Sequence, residues 1–542
     1  MSFGYNSILI LATATLLFHG LILINTGNYF DGWYLAGWTN RGSWGFMRRF
    51  FKEVGMPYLF SLHRFLSSLP HHTVWYSLII LASIFSGAYF AGNFLISSKI
   101  CSEEDALIIS LLMVSYPGFV IGVEKTLIHY FATPALLYAG FWLFSLTNKI
   151  SIISGWIIFM PACLCFLLSF CMNSALLYYL VLLCFFATES LLMSEALRVD
   201  TLWYKYKFSL YLVLFLLPFI FWWVKEKKSP RCGWYKNYNR ISGYSFKSIK
   251  QNIKSIFSVG MWKINLIPLK EIRRHFILAF LMLSICLIMD KFHLATPIDY
   301  KKYYTGMIIS GLFLYVIAGL PYALVNQKIG LKGWVVKNNA LFPLPNSLLI
   351  YGISRLLLDK MAWIPLLLYL VGSFLFCQKT YLSWFYDYAK NSSLIRHFAN
   401  NSILEKCSLV IVEDKVKNNY VQDDPYANWT IVWTYILYFS QHKLQALGVP
   451  KHFLFQEGMP HLISLPRLSE LVESTSIDYD LNSIALDRSQ LYVKISSLDQ
   501  STNKLIIGLL FAGYDFIKSN KKNTLLDNAF KIETSIIEQG FL

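Results

Sequence analysis

What most constrains this chain is a succession of apolar runs, each about as long as a helix that crosses a membrane. A hydrocarbon core about 30 Å thick needs about 20 predominantly apolar residues in helical form. Runs of that kind lie at 6–24, 74–97, 106–122, 127–146, 150–170, 174–193, 208–224, 276–289, 305–325, 341–358 and 361–376, about eleven spans. The 276–289 run is short and the 341–358 run is broken by proline, so either could be re-entrant. The first run leads into an aromatic, charged loop and lacks a small-residue cleavage site, which reads as a retained helix and not a removed signal. Charged residues make up 15% of the 542 residues, against about 25% in soluble domains. A soluble enzyme, a disordered chain and a disulfide-rich secreted module are excluded by that balance.

Charge is distributed unevenly. Residues 383–542 hold 15 Lys/Arg and 17 Asp/Glu, which leaves 33 Lys/Arg and 14 Asp/Glu for residues 1–382. The bases stand between apolar runs, where lipid phosphates, and not nucleic acid, are their natural partners. The basic connections at 98–105, 147–149 and 198–207 alternate with less basic ones. The positive-inside rule then sets the N-terminus in the cytoplasm, with the loop 26–73 and the C-terminal domain outside. The loop 225–274, with 13 Lys/Arg and two Glu, also falls outside. Either it is long enough to escape the rule, which is the preferred reading, or one span is miscounted. It reads as a surface helix on anionic lipid.

The chain therefore divides into a transmembrane domain, 1–382, and a small soluble α/β domain, 383–542. In the second, 383–398 reads as an amphipathic helix leaving the membrane. Strands are expected at 407–412, 452–455, 491–495 and 505–511, and helices at 429–447 and 465–473. No phosphate-binding glycine loop and no nucleophile elbow is visible there, so docking of substrate or of a protein partner is the default role. The nine cysteines show no zinc-ligand spacing.

The loop NTGNYFDGWYLAGWTNRGSWGFMRRFFKEVGMPYLFSLHRF carries the most chemistry. It sets Asp31, Arg48, Arg49, Lys52 and Glu53 among aromatic residues. Arg or Lys binds a phosphate leaving group, and a carboxylate takes a proton from an attacking hydroxyl. The plainer alternative is an interfacial amphipathic segment with snorkelling bases. Farther on, SYPGFVIGVEKTLIHYF places Glu124, Lys125 and His129 in a short connection that could lie beside the first loop. Its plainer alternative is a span boundary with a surface Glu–Lys pair.

A first helix followed within a few residues by an acid in a large outer loop, here Phe30–Trp33 (FDGW) and then GSWGFMRRFFKEVGMPYLFSLH, resembles the GT-C superfamily of membrane glycosyltransferases. Gly32 stands where many members carry a second acid. Three later stretches, LLPFIFWWVKEKKSPRCGWYKNYNRI, GWVVKNNALFPLP and the domain after Trp384, resemble a group of bacterial multi-pass membrane proteins that share this layout. The resemblance implies a GT-C-like helical membrane fold in the bacterial inner membrane and an inverting transfer of sugar from a polyprenyl-phosphate donor to an envelope or extracellular acceptor. It implies Asp31 as the general base and Arg48 and Arg49 as partners of the lipid phosphate. Lys52, Glu124, Lys125 and His129 would be further substrate-binding groups. Asp31 and Glu53 together could hold a divalent metal. The competing function is a non-enzymatic multi-pass protein, either a lipid or saccharide transporter or a structural subunit of an envelope assembly.

Overall fold

The structure, a computed structural model, describes residues 2–29, 32–147, 152–196, 201–233, 236, 246–274, 300–325, 327, 329–330, 333–399, 407–414, 416, 461–464, 489–497, 504–516 and 521–537. The chain forms two compact units. One comprises Met1–Leu23, Phe50–Leu331 and Val335–Gln378; the other comprises Ile24–Arg49, Lys332–Trp334 and Lys379–Leu542.

The first unit is helical. Among the described residues five segments are long and apolar enough to cross a membrane: His72–Ser97, Lys125–Leu146, Phe208–Lys228, Lys301–Leu324 and Pro343–Ala399. The last holds two helices, Pro343–Leu358 and Trp363–Ala399, joined by the 3₁₀ turn Asp359–Ala362. Tyr5–His19, Ser154–Ser169 and Ser174–Cys184 are shorter apolar helices. The run expected at 276–289 lies outside the described residues. The chain is an α-helical multi-pass membrane protein.

The span expected at 106–122 is not one straight helix. It starts well: Ser102 caps it by accepting from the Asp105 backbone N–H at 3.1 Å, and Glu103, Glu104 and Asp105 fill the first turn, where acids oppose the positive end of the helix dipole. It stops at Val114 and resumes as the 3₁₀ turn Pro117–Val123, bent by 51°. Pro117 has no N–H to donate, and the residue before a proline is pushed out of the helical region; Tyr116 sits at φ −60°, ψ 121°. Beside it, the helix Tyr5–His19 runs in the same direction. Gly4 N–H and Ser7 Oγ–H donate to Glu103 at one end (2.7 and 2.8 Å), and His19 Nε2–H donates to the Val114 carbonyl at the other (2.7 Å).

A buried polar network ties three helices at the Glu103 end. Asp105 accepts from the hydroxyls of Tyr351 and Tyr303. Arg355, fully buried, donates from Nε to the Tyr304 hydroxyl at 2.8 Å. A charge in an apolar interior is costly unless it is paired and hydrogen-bonded, and tyrosine supplies donors and acceptors here at little polar cost.

In the basic loop, Phe246–Ser255 leads through a π-helical turn, Ile256–Lys263, into Ile264–Arg274. Ile256, Gly260, Ile264 and Pro268 form a buried seam, while Trp262, Leu266 and Leu269 are exposed. The backbone N–H of Cys232 donates to the Glu53 carbonyl at 3.2 Å, so the basic loop and the first loop leave the helices at the same end. Small residues let membrane helices approach closely. At Gly372 a Cβ would lie 2.2 Å from the Pro268 carbonyl oxygen.

The second unit holds a four-stranded sheet ordered β2-β1-β3-β4, with β1 Cys407–Asp414, β2 His461–Ser464, β3 Ser489–Ser497 and β4 Phe530–Ile537. β1 pairs in parallel with β2 and β3, while β3 and β4 are antiparallel. β1 and β3 cover the strands expected at 407–412 and 491–495. The strand expected at 505–511 is instead part of a helix, Lys504–Phe516. Its continuous apolar run has no strand alternation, and a run of that kind does not distinguish strand from helix by period. Ile507, Phe511 and Ala512 are its buried residues, a helical spacing. The residues expected to be strand at 452–455 and helix at 429–447 and 465–473 lie outside the described residues. The segment 383–398 is the last part of the Trp363–Ala399 helix.

Replacing Gly372 by alanine is expected to destabilise the first unit by about 1–3 kcal/mol, the usual cost of overpacking, because the atom in the way is backbone. Thermal unfolding in detergent or nanodiscs, beside a Gly306→Ala control with open space at the Cβ position, checks this.

Candidate functional site

The helix Trp44–Glu53 (WGFMRRFFKE) is amphipathic. Met47 and Phe51, four residues apart, are buried. Arg48, Arg49 and Lys52 are exposed and Glu53 is half-buried. The three bases therefore occupy the outward face of an amphipathic helix, where long basic stems can cover apolar surface while their charges reach solvent. Asp31, the proposed base, lies outside the described residues, so its pairing with Glu53 as a metal site has no geometry here. Among the described residues no group of three or more His, Cys, Asp or Glu could hold a metal ion.

The chain leading to Asp31 is fixed in the second unit. Asn25 Oδ1 accepts from the Gly27 N–H at 3.0 Å and lies 3.0 Å from the Tyr29 hydroxyl. That hydroxyl also lies 2.8 Å from the Trp384 carbonyl, and the Tyr29 and Trp384 rings meet edge to face at 4.7 Å. Thr26 Oγ1–H donates to the Tyr388 hydroxyl at 3.1 Å. Tyr29 and Trp33, two positions either side of Asp31, are both buried.

A second set of polar groups gathers in the first unit, just past the Pro117 bend. Glu124 is 0% and Lys125 is 3% exposed, so they are not a surface pair at a span boundary. Glu124 caps the turn Lys125–Leu127: its Oε1 accepts from Thr126 N–H at 3.0 Å and from Thr126 Oγ1–H at 2.6 Å. Lys125 Nζ donates to Ser77 Oγ at 2.8 Å. His129 opens the next helix, with Nδ1 3.2 Å from the Thr126 carbonyl and its ring 4.5 Å from that of Tyr130. It lies within electrostatic reach of His63 and Lys337. The connection at Glu124–His129 thus meets the far part of the first loop, through His63.

His63, in the far part of the first loop, owes its environment to the tertiary structure. It is fully buried, stacked on Phe51 at 5.0 Å and on Tyr76 at 5.6 Å. Nδ1 lies 2.8 Å from the Tyr76 hydroxyl, which lies 3.3 Å from the His63 carbonyl. With the Tyr76 proton on that carbonyl, Nδ1 carries the imidazole hydrogen and Nε2 is a bare lone pair. Nε2 has no hydrogen-bond partner among the described residues, which costs less for a lone pair than for an N–H. Burial lowers the imidazole from its ordinary 6.5 to about 3, so it is neutral.

Lys337 was not among the expected site residues, although GWVVKNNALFPLP contains it. It is buried in the turn Gly333–Asn339, its ammonium 5.9 Å from the centre of the Tyr130 ring. Asn339 Nδ2–H donates to the Gly330 carbonyl at 2.8 Å and holds the turn. Next to these groups lies an apolar crevice lined by Gly87, Ala88, Phe119, Tyr130, Phe131 and Pro134, among others. Two lysines, two histidines and a carboxylate thus gather beside a small apolar crevice.

The buried His63 makes stability depend on pH. The folded state holds His63 neutral down to about pH 3, whereas the unfolded chain takes up a proton near 6.5. Its contribution is therefore constant above about pH 6.5 and stability falls as the pH drops from there towards 3. Melting temperatures of the wild type should decline over that interval more steeply than those of His63→Asn, which keeps a partner for Tyr76 and does not titrate.

No family model matches the chain, and no curated protein matches it. It is similar to the crystal structure of ArnT from Cupriavidus metallidurans in the apo state, with 11% sequence identity and a TM-score of 0.35 over 90% of this chain and 92% of that one.

Proposed function

We propose that this protein is a membrane glycosyltransferase of GT-C type that moves a sugar from a polyprenyl-phosphate donor to an envelope or extracellular acceptor. The observation that carries the reading is the set of buried Glu124, Lys125, His63 and Lys337 with the half-buried His129. It stands in a chain whose first loop carries Asp31 with Arg48, Arg49 and Lys52. Charged groups held inside a membrane protein are expensive and mark function by default.

In this reading Asp31 is the general base. It takes the proton of the acceptor hydroxyl as that oxygen attacks the anomeric carbon, and the bond from that carbon to the phosphate oxygen breaks on the opposite face, inverting the centre. Lys125 and Lys337 are further cations for an anionic head group. Arg48, Arg49 and Lys52 hold the lipid head group at the surface. Glu124 fixes the Lys125 turn through Thr126. A divalent metal between Asp31 and Glu53 belongs to the same proposal, as do an inner-membrane location and a C-terminal domain on the outer face that receives substrate or a protein partner.

The test is transfer of labelled sugar by purified protein in lipid, over a panel of polyprenyl-phosphate sugars. Asp31→Asn is expected to lower kcat by roughly 10²–10⁴-fold, the range for a positioned general base, with donor binding retained. Lys337→Met is expected to weaken donor binding by about 10–100-fold, the worth of one charge-assisted contact to phosphate. Transfer by wild type and Asp31→Asn at equal rates would overturn the role of Asp31. No transfer by a folded wild type over a broad panel would favour the transporter or structural function.

A further inference from the structure

The helix Lys504–Phe516 reads KLIIGLLFAGYDF and is apolar on nearly every side. One face packs on the last part of the Trp363–Ala399 helix. Gly508 comes so close that a Cβ there would fall 2.2 Å from the Leu382 carbonyl oxygen. The Phe511 ring meets that of Tyr388 edge-on at 5.1 Å. Ile507, Phe511 and Ala512 are buried. The other face is open: Ile506 is 51%, Leu509 57% and Leu510 40% exposed. A helix that is apolar all round belongs in a protein core or in lipid, and this one has a core on one side alone.

Its place along the Trp363–Ala399 helix identifies what covers the other side. That helix starts at the turn Asp359–Ala362 and runs without a break. From Trp363 to Leu382, twenty residues and nineteen steps, the helix rises about 28 Å at ~1.5 Å per residue. A hydrocarbon core is about 30 Å thick, so a helix docked at Leu382 sits where acyl chains give way to head groups. Bases bracket it as such a position requires. Lys504 opens the helix, and Lys521 and Lys522 open the next one, Lys521–Ala529. Lys521 is exposed, and the Lys522 ammonium lies over the Phe511 ring at 4.9 Å. Apolar side chains flanked by lysines are the pattern of a helix lying in an anionic bilayer surface.

We propose that the helix Lys504–Phe516 is an interfacial anchor that lays Ile506, Leu509 and Leu510 into the phospholipid surface beside the Trp363–Ala399 helix. The bilayer then supplies the second half of its apolar burial. This role is independent of the chemistry proposed above.

The experiment uses the full chain in vesicles of phosphatidylethanolamine and phosphatidylglycerol, with the photoreactive residue p-benzoylphenylalanine placed singly at Ile506, Leu509 or Leu510. Asn528, exposed on the following helix, is the control position. These are exposed sites, so the variants should fold, and three of them guard against the failure of one. Irradiation followed by mass spectrometry is expected to give lipid adducts at Ile506, Leu509 and Leu510 in about tenfold excess over Asn528, as for a face held within the head-group boundary. Adducts to other segments of the same chain or to a second copy, in place of lipid, would overturn the proposal. So would equal lipid labelling at Asn528.

Discussion

A proline in the middle of an apolar run is the constraint on which the first unit depends. The helix that begins at Ser102 cannot continue through Pro117, since that residue donates no backbone hydrogen bond and drives Tyr116 into an extended conformation. Inside a bilayer the backbone groups freed by such a break must be satisfied by protein. His19 takes one of them, the Val114 carbonyl, and this pins the first helix to the third. The bend then turns the chain into two 3₁₀ segments, with Glu124 buried between them and Lys125 buried at the start of the second. A straight helix would have carried those residues to a span boundary.

Burial of that pair in turn requires neighbours. Ser77 accepts a hydrogen bond from Lys125, Thr126 donates twice to Glu124, and His63 and Lys337 come close to His129 from opposite directions in the sequence. At the other end of the same helix, Asp105 and Arg355 are supported by tyrosine hydroxyls. The unit therefore has polar groups at both ends of one broken helix and apolar packing between them. The Pro117 end adjoins an apolar crevice, and the functional proposal rests there for that reason.

Much of the fold was legible because membrane helices announce themselves by length and hydropathy. The described apolar helices, from Tyr5–His19 to Trp363–Ala399, overlap the expected runs, the one at 106–122 as a broken helix. The first loop was legible as amphipathic, and Arg48, Arg49 and Lys52 do lie on one exposed face. The failures have physical causes. The stretch 505–511 was expected to be a strand, but its burial against Leu382 and Tyr388 is a tertiary contact that leaves no two-residue or four-residue signature in a run where nearly every residue is apolar. Lys337 was passed over because a single base in an irregular connection looks the same whether it is solvated or buried.

The sequence by itself determined that this chain inserts in a membrane and which connections carry charge, since these depend on the local balance of apolar and polar residues along about 20 positions. Only the tertiary structure decided which charges are buried. Whether Glu124, Lys125 and His63 meet water or one another depends on residues 48 to 274 positions away, such as Ser77 and Lys337, and no local pattern records contacts at that separation.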